Sequence, residues 1–198
     1  MAVDSVRATW TMCGATLLLL GCGPASAGVS TASPTPSAAA TLATAFFTVT
    51  APPGWRDVRI TATITRQLQL PGSPLLLLET PPPPPVVRGV NDVTADIVIS
   101  QLQQPLAAAQ IAPYLESVAA AGATGISTPM SLMVSGASGT AVTYTHSIQG
   151  TSGMSEDILI DEGGATYEVV LNTSSYAFTR HLAALQSVFA TWRWMAGD

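Results

Sequence analysis

Acid–base, nucleophilic and metal chemistry each need a few side-chain types brought together, and this chain is poor in all of them. Its 198 residues include two His (His146 and His181), two Cys (Cys13 and Cys22), twelve acidic residues and no Lys. The acids gather once, as Glu156, Asp157, Asp161 and Glu162. Carboxylates so grouped could hold a calcium ion or share general acid–base work. Strand alternation, however, sends Glu156 and Asp157 to opposite faces, which leaves at most a weak calcium site, and the group reads more simply as a solvated turn. His146 is in phase with Val142, Tyr144 and Ile148 and reads as a half-buried sheet residue rather than a base. His181 reads as solvated, beside the apolar stripe of a helix. A nucleophilic Ser needs an adjacent base. Gly136-Ala137-Ser138-Gly139 is one residue short of a nucleophile elbow and reads as a turn. No Gly-rich loop leads from a strand into a helix in the way phosphate binding requires. The expectation is no catalytic residue, no metal and no cofactor, with binding residues unassigned and a protein that is not an enzyme.

The remaining chemistry-bearing residue is Cys22. It closes an uncharged run over residues 8–20, thirteen residues long, where about 20 would be needed to span a bilayer. That length suits the apolar region of an export signal. Leu19-Leu20-Gly21-Cys22 places Leu at −3, Gly at −1 and Cys at +1 of a cleavage point, which resembles the bacterial lipobox. The resemblance implies that the Cys is acylated through its sulfur and becomes the new N-terminus. The same stretch also admits an uncleaved N-terminal anchor, or a soluble exported form cut near Ala25-Ser26-Ala27. Cleavage before Cys22 removes Cys13 and blocks Cys22, so thiol and zinc–cysteine chemistry are excluded for the mature protein.

Composition narrows the partners. A net charge of −5 with 10% charged residues argues against nucleic acid, which asks for a dense basic surface. It equally argues against electrostatic adhesion to anionic lipid. Membrane attachment would then come from N-terminal acyl chains, at about 0.8 kcal/mol per buried CH₂.

The elements that must position any site follow from periodicity. Residues 22–44 are rich in Ser, Thr, Ala and Pro and cannot offset their ordering entropy, so they read as a disordered tether. A single α+β domain is expected over residues 45–198. Residues 46–50 read as a strand, broken by Pro52, Pro53 and Gly54, with Trp55 as a plug. Residues 58–65 alternate in period 2 and read as a half-buried strand. Residues 75–79 and 95–102 are apolar strands. The pentaproline run 81–85 reads as polyproline II, either stiffening a loop or offering itself to an aromatic groove. Ile111, Leu115, Val118 and Gly122 mark a helix after Pro105. Strands return at 131–134, 140–149, 154–161 and 165–172, with hairpin turns at 150–153 and 161–164. Ser174 or Ser175 would cap a last helix striped by Phe178, Leu182, Leu185, Val188, Phe189 and Trp192, with Trp194 pointing elsewhere. Strands, helix, strands, helix implies an antiparallel sheet of about six to seven strands flanked by helices.

The opening Phe-x-Val-x-x-Pro-x-Gly-Trp element (Phe47 to Trp55), the Ile97-Val98-Ile99 strand before a helix, and the final hairpin leading into a Phe/Leu/Trp helix resemble the PsbP-like fold. With the lipobox and Ser/Thr/Pro tether, the chain is similar to the mycobacterial LpqN/LpqT-type lipoproteins. The likeness implies an α/β/α sandwich and an envelope binding or accessory role; it carries over no catalytic residue. The expected protein is thus lipid-anchored on the extracytoplasmic face of the cell membrane. It would bind a protein partner or a lipid or glycolipid in an apolar groove between the sheet and the helix over 111–118. The alternative is an exported enzyme, a hydrolase being the least strained. If Cys22 is acylated, wild-type protein partitions into detergent and takes up a fatty-acid label, and Cys22→Ala loses both; equal labelling of that variant would contradict the lipobox reading.

Overall fold

Two glycines fix the register of the central hairpin. Gly163 and Gly164, with φ of 59° and 77°, form the two-residue left-handed turn that matches strand twist. They join β8 (Thr151–Glu162) to β9 (Ala165–Ser174), with Glu162 opposite Ala165 and Asp157 opposite Val170. The structure is a computed structural model that describes residues 39–68, 72–80, 95–148 and 151–195. The stretch read as an export signal, Cys22, most of the 22–44 stretch and the pentaproline run lie outside those residues.

The other strands extend the hairpin into a seven-stranded antiparallel sheet. They are β3 (Arg56–Asp57), β4 (Ser73–Glu79), β5 (Asp96–Gln101), β6 (Met130–Val134) and β7 (Ala137–Ile148), in the order β3-β4-β5-β9-β8-β7-β6. The β6–β7 turn is Ser135-Gly136, with positive φ at both, one residue earlier than the Gly136-to-Gly139 turn expected. Gly139 belongs inside β7, where an added Cβ would meet the Leu159 carbonyl at 3.1 Å. The expected 150–153 turn is likewise displaced, since β8 already runs from Thr151. Gly153 is needed within that strand because the His146 ring lies over its Cα, in the space a Cβ would fill.

A second sheet of three strands was not foreseen. It consists of β1 (Thr41–Ala43), β2 (Phe47–Thr50) and β10 (Arg193–Trp194), in the order β1-β2-β10. β1 falls inside the 22–44 stretch read as tether, and the Ala51 N–H bonds the Ala40 carbonyl at 2.9 Å. Among the described residues there are three α-helices: α1 (Ala62–Leu68), α2 (Ile111–Ala120) and α3 (Phe178–Thr191).

Residues 58–65 are not a strand. Val58 adds one bond to β4, its N–H to the Leu77 carbonyl at 2.9 Å. Thr61 Oγ1 then accepts the Ile64 N–H at 3.2 Å and starts α1; this local capping bond outweighs the β-branched alternation. Neither serine caps α3. Ser174 and Ala177 make no side-chain capping bond, and a 3₁₀ turn over Ser175–Ala177 leads into the helix. Ser175 Oγ instead meets Ser152 Oγ at 2.8 Å.

The main core lies between one sheet face, the three-stranded sheet and α3. Ile97, Ile99, Ile158, Ile160, Val169 and Leu171 face Phe47, Leu185, Val188 and Trp192 across it. Helix α3 stops at Thr191, so Trp192 is a plug beyond its end, fully buried and stacked on Phe47 at 4.2 Å. The backbone then turns extended, and Trp194 returns to the same cluster, 5.1 Å from Trp192. Helix continuation would have sent it outward. The expected outcome is that Leu185→Ala or Trp192→Ala costs about 2–5 kcal/mol in urea unfolding, while deleting residues 23–38 leaves the thermal midpoint unmoved.

Candidate functional site

The opposite face of the large sheet carries the polar chemistry. Alternation that sends Ile158, Ile160, Val169 and Leu171 to the main core sends Asp157 and Glu168 to the other side. The β8–β9 register puts Leu159 opposite Glu168 and Asp157 opposite Val170, so the two acids are diagonal neighbours on adjacent strands. Helix α2 lies over them. Tyr114 Oη is 2.9 Å from Asp157 Oδ2 and also hydrogen-bonds Glu168 Oε1. Asp157 and Glu168 are 2% and 1% exposed. Asp157 Oδ1, Glu168 Oε2 and Ser100 Oγ are buried without a hydrogen-bond partner, and Ser100 stands opposite Glu168 on β5.

Burial sets the charge here. Desolvation pushes the Asp157 carboxyl up, and the Tyr114 hydroxyl opposes this by stabilising the carboxylate. Desolvation and the neighbouring Asp157 charge push Glu168 well up. Tyr114 is pushed up by the same burial and by both acids, so it keeps its proton. One phenol has one O–H and can donate to one acceptor only. With Tyr114 donating to one carboxylate, the other bond exists only if the second carboxyl donates its own proton to the phenol oxygen. The bridge as a whole therefore requires one proton on the carboxyl pair.

A second polar row crosses the same face one step along. His146 Nδ1 lies 3.3 Å from Ser155 Oγ; Ser155 donates to Asn172 Oδ1 at 2.7 Å; and Asn172 Nδ2 donates to Asp96 Oδ1 at 2.9 Å. Burial raises Asp96 to about 7, against the Asn172 bond and helped by Glu79. Ser155 is fully buried and offers no nucleophile to a substrate.

Of the residues the sequence singled out, His146 shares its face with Val142 and Tyr144 as expected, and is buried rather than half-exposed. His181 is not solvated: it is buried, its Nδ1 lies 2.7 Å from Thr173 Oγ1, and Trp55 meets it edge-on. Burial lowers both histidines, with Arg180 adding to the effect on His181. Both are neutral at pH 7. The acidic group is only partly a solvated turn. Asp161 is exposed and accepts a bond from Thr166 at 2.6 Å, whereas Asp157 is deep in the sheet face. Glu168, Tyr114 and Ser100 were not anticipated. The two-glycine turn held the signal for Glu168, since its register alone brings Glu168 beside Asp157.

Where an apolar groove was expected, beneath α2, the described residues hold the carboxyl pair and a small cluster of Val118, Val142 and Tyr144 with Tyr114, Ala123 and Ile126. An open concavity of about 260 Å³ lies elsewhere, walled by Leu42, Val58, Ile60, Leu75 and Leu76 with Asp57 and Arg59. Among the described residues no three His, Cys, Asp or Glu side chains gather as a metal site, and no helix is long and apolar enough to cross a membrane.

No protein-family profile matches the chain, and no curated protein matches it. Solved structures do. A crystal structure of LpqN from Mycobacterium tuberculosis, described as involved in cell envelope biogenesis, matches with a TM-score of 0.51 at 14% identity, over 82% of this chain and 90% of that one. The cyanobacterial PsbP of Synechocystis matches at 0.49 and 11% identity, over 84% and 98%. The first likeness is one of fold: an antiparallel sheet with helices on both faces.

The buried acids have a consequence for stability. Asp96, Asp157 and Glu168 hold protons in the native state at a pH where the unfolded chain has released them, so native stability falls as pH rises through that window. The lowered histidines act oppositely, but only below their ordinary pKa of about 6.5. The clean window is therefore above it. The thermal midpoint is expected to drop between about pH 6.5 and about pH 8.5, and Asp96→Asn to shallow that drop; a midpoint flat across the window would contradict the protonation scheme.

Proposed function

We propose that the protein is an exported lipoprotein, held at the extracytoplasmic face of the cell membrane by acyl chains on Cys22. It works as a non-catalytic binding or accessory module of the cell envelope, its partner a protein surface or a lipid or glycolipid. The observation that carries this reading is closure. The acid–base groups Asp157, Glu168, His146 and His181 are each 6% exposed or less, and turnover needs such groups within hydrogen-bond reach of a substrate. What is open is the concavity beside β1, where the aliphatic side chains of Leu42, Val58, Ile60, Leu75 and Leu76 stand among polar surface that includes Thr44, Asp57 and Arg59. Burial against the aliphatic part favours an apolar group by about 25 cal/mol per Å², with Arg59 placed for a polar or anionic end. The fold shared with LpqN, a protein described as involved in cell envelope biogenesis, supports the envelope assignment, as does the Leu-Leu-Gly-Cys stretch.

The second reading is a hydrolase, favoured by one observation: a tyrosine bridging two carboxyl groups is a proton-transfer arrangement as well as a structural one. Complementation of a gene deletion separates the two. Ala43→Trp, which fills the concavity, is expected to lose function while still folding, and His146→Gln with His181→Gln to complement fully. Loss of function in a folded double-histidine variant, with Ala43→Trp silent, would favour the enzyme.

A further inference from the structure

We propose that α2 is a proton-gated cover. It is docked while the Asp157–Glu168 pair holds a proton and released, with its flanking turns, when both carboxyl groups ionise. The proposal stands on the stereochemistry of Tyr114. Its oxygen is bonded to both carboxyl groups and has one hydrogen to give. With no proton on the pair, one of the two contacts becomes lone pair against lone pair, in a site too dry to screen it.

Among the described α2 side chains Val118 is buried and Ile111 and Tyr114 are half-buried, while Ala112, Pro113, Glu116, Ser117, Ala119 and Ala120 face solvent. Gln110 gives it no side-chain cap. The unit that can swing is bounded by two firm attachments. On one side the Leu106 N–H bonds Thr166 Oγ1 at 2.9 Å; on the other Thr124 and Thr145 exchange backbone bonds of 2.8 Å. Just inside the second attachment stands Gly122, with a φ of 102° that tolerates hinge motion. The groups facing the pair are Tyr114 from α2, Tyr144 from β7 and Ser100 from β5, with Leu159 on β8 and Val170 on β9 as neutral neighbours. On the same face His146 bonds Ser155 and Asp96 bonds Asn172, and exposed Glu116 is the charge on α2 itself. No described Arg or His bonds to the pair. Among the described residues none replaces the proton. Release would bare Val142, Tyr144, Asp157 and Glu168, a surface of two carboxylates on an apolar floor.

Hydrogen exchange on the full-length protein in detergent, read by mass spectrometry at about pH 5.5 and about pH 8.5 and corrected for intrinsic rates, tests this. Peptides over residues 111–121 are expected to lose protection at the higher pH by about tenfold or more, while those over 154–172 keep theirs. Glu168→Gln, whose amide can donate at any pH, is expected to abolish the step, and Tyr114→Phe to leave α2 unprotected at both. Equal α2 protection at the two pH values would overturn the proposal. So would a loosening shared equally by sheet and helix, or a pH step surviving in folded Glu168→Gln. Should Glu168→Gln fail to fold, the wild-type contrast between helix and sheet peptides decides alone.

Discussion

One phenolic oxygen bridging two buried carboxyl groups is the constraint around which this molecule is arranged. An isolated carboxylate in such a place would cost several kcal/mol, and a second one beside it more. The fold meets this by protonation and by one donor from a separate element, Tyr114 of α2. That fixes where α2 lies, because no other described side chain bonds both acids. It also fixes register. A one-residue slip of β9 against β8 would carry Glu168 into the aliphatic core beside Ile158 and Ile160 and break the bridge, so the polar pair penalises the commonest pairing error of long antiparallel hairpins.

The two faces of the sheet are stabilised by different physics and answer differently to the medium. On one, Phe47, Tyr167, Trp192 and Trp194 stack or meet at centroid distances of 4.2 to 6.2 Å, and this packing uses no ionised group. Its aromatics come from both ends of the described chain, which the three-stranded sheet brings together. On the other face hydrogen bonds cross β7, β8, β9 and β5 in a single row from His146 to Asp96. Low dielectric strengthens each bond and raises the cost of each orphan atom. Proton uptake therefore acts on one face while the aromatic face holds the sheet together.

Most of the architecture was legible because it depends on period and punctuation. Alternation placed β4, β5 and β6 to β9, and the two-glycine turn placed the last hairpin within a residue. The failures share a cause: a local bond or a tertiary neighbour decided where pattern could not. Thr61 capped a helix inside an alternating stretch, and Gly153 stayed in a strand because His146 needed the room. The α3 helix ended one residue before Trp192, which changed the direction of Trp194. For the site, alternation told that Asp157 and Glu156 face apart but not which face is dry. Asp157 was read against Asp161 and Glu162, its sequence neighbours. Its partner was Glu168, reached only by folding the hairpin on its register, and Tyr114, reached only by docking a helix.

Function on such a scaffold has to come from sites, since one fold hosts many activities. The sealed acids and the open concavity lie on different elements, so a ligand held near Leu42, Ile60 and Leu75 would not touch the pair under α2. Nor does the pair need a ligand in order to change state; it needs only the surrounding pH. On the proposed extracytoplasmic placement, where pH follows the environment, a carboxyl pair that must share a proton to stay covered would report that environment through the position of one short helix. Coupling between the two regions would have to pass through β4 and β5, which wall the concavity with Leu76 and stand beside Glu168 with Ser100. β5 lies between β4 and β9 with Ile97, Val98, Ile99 and Ser100 all buried, and transmission through it would need a second arrangement of that strand. On the readings proposed above, the concavity and the cover are therefore separate devices on one sheet.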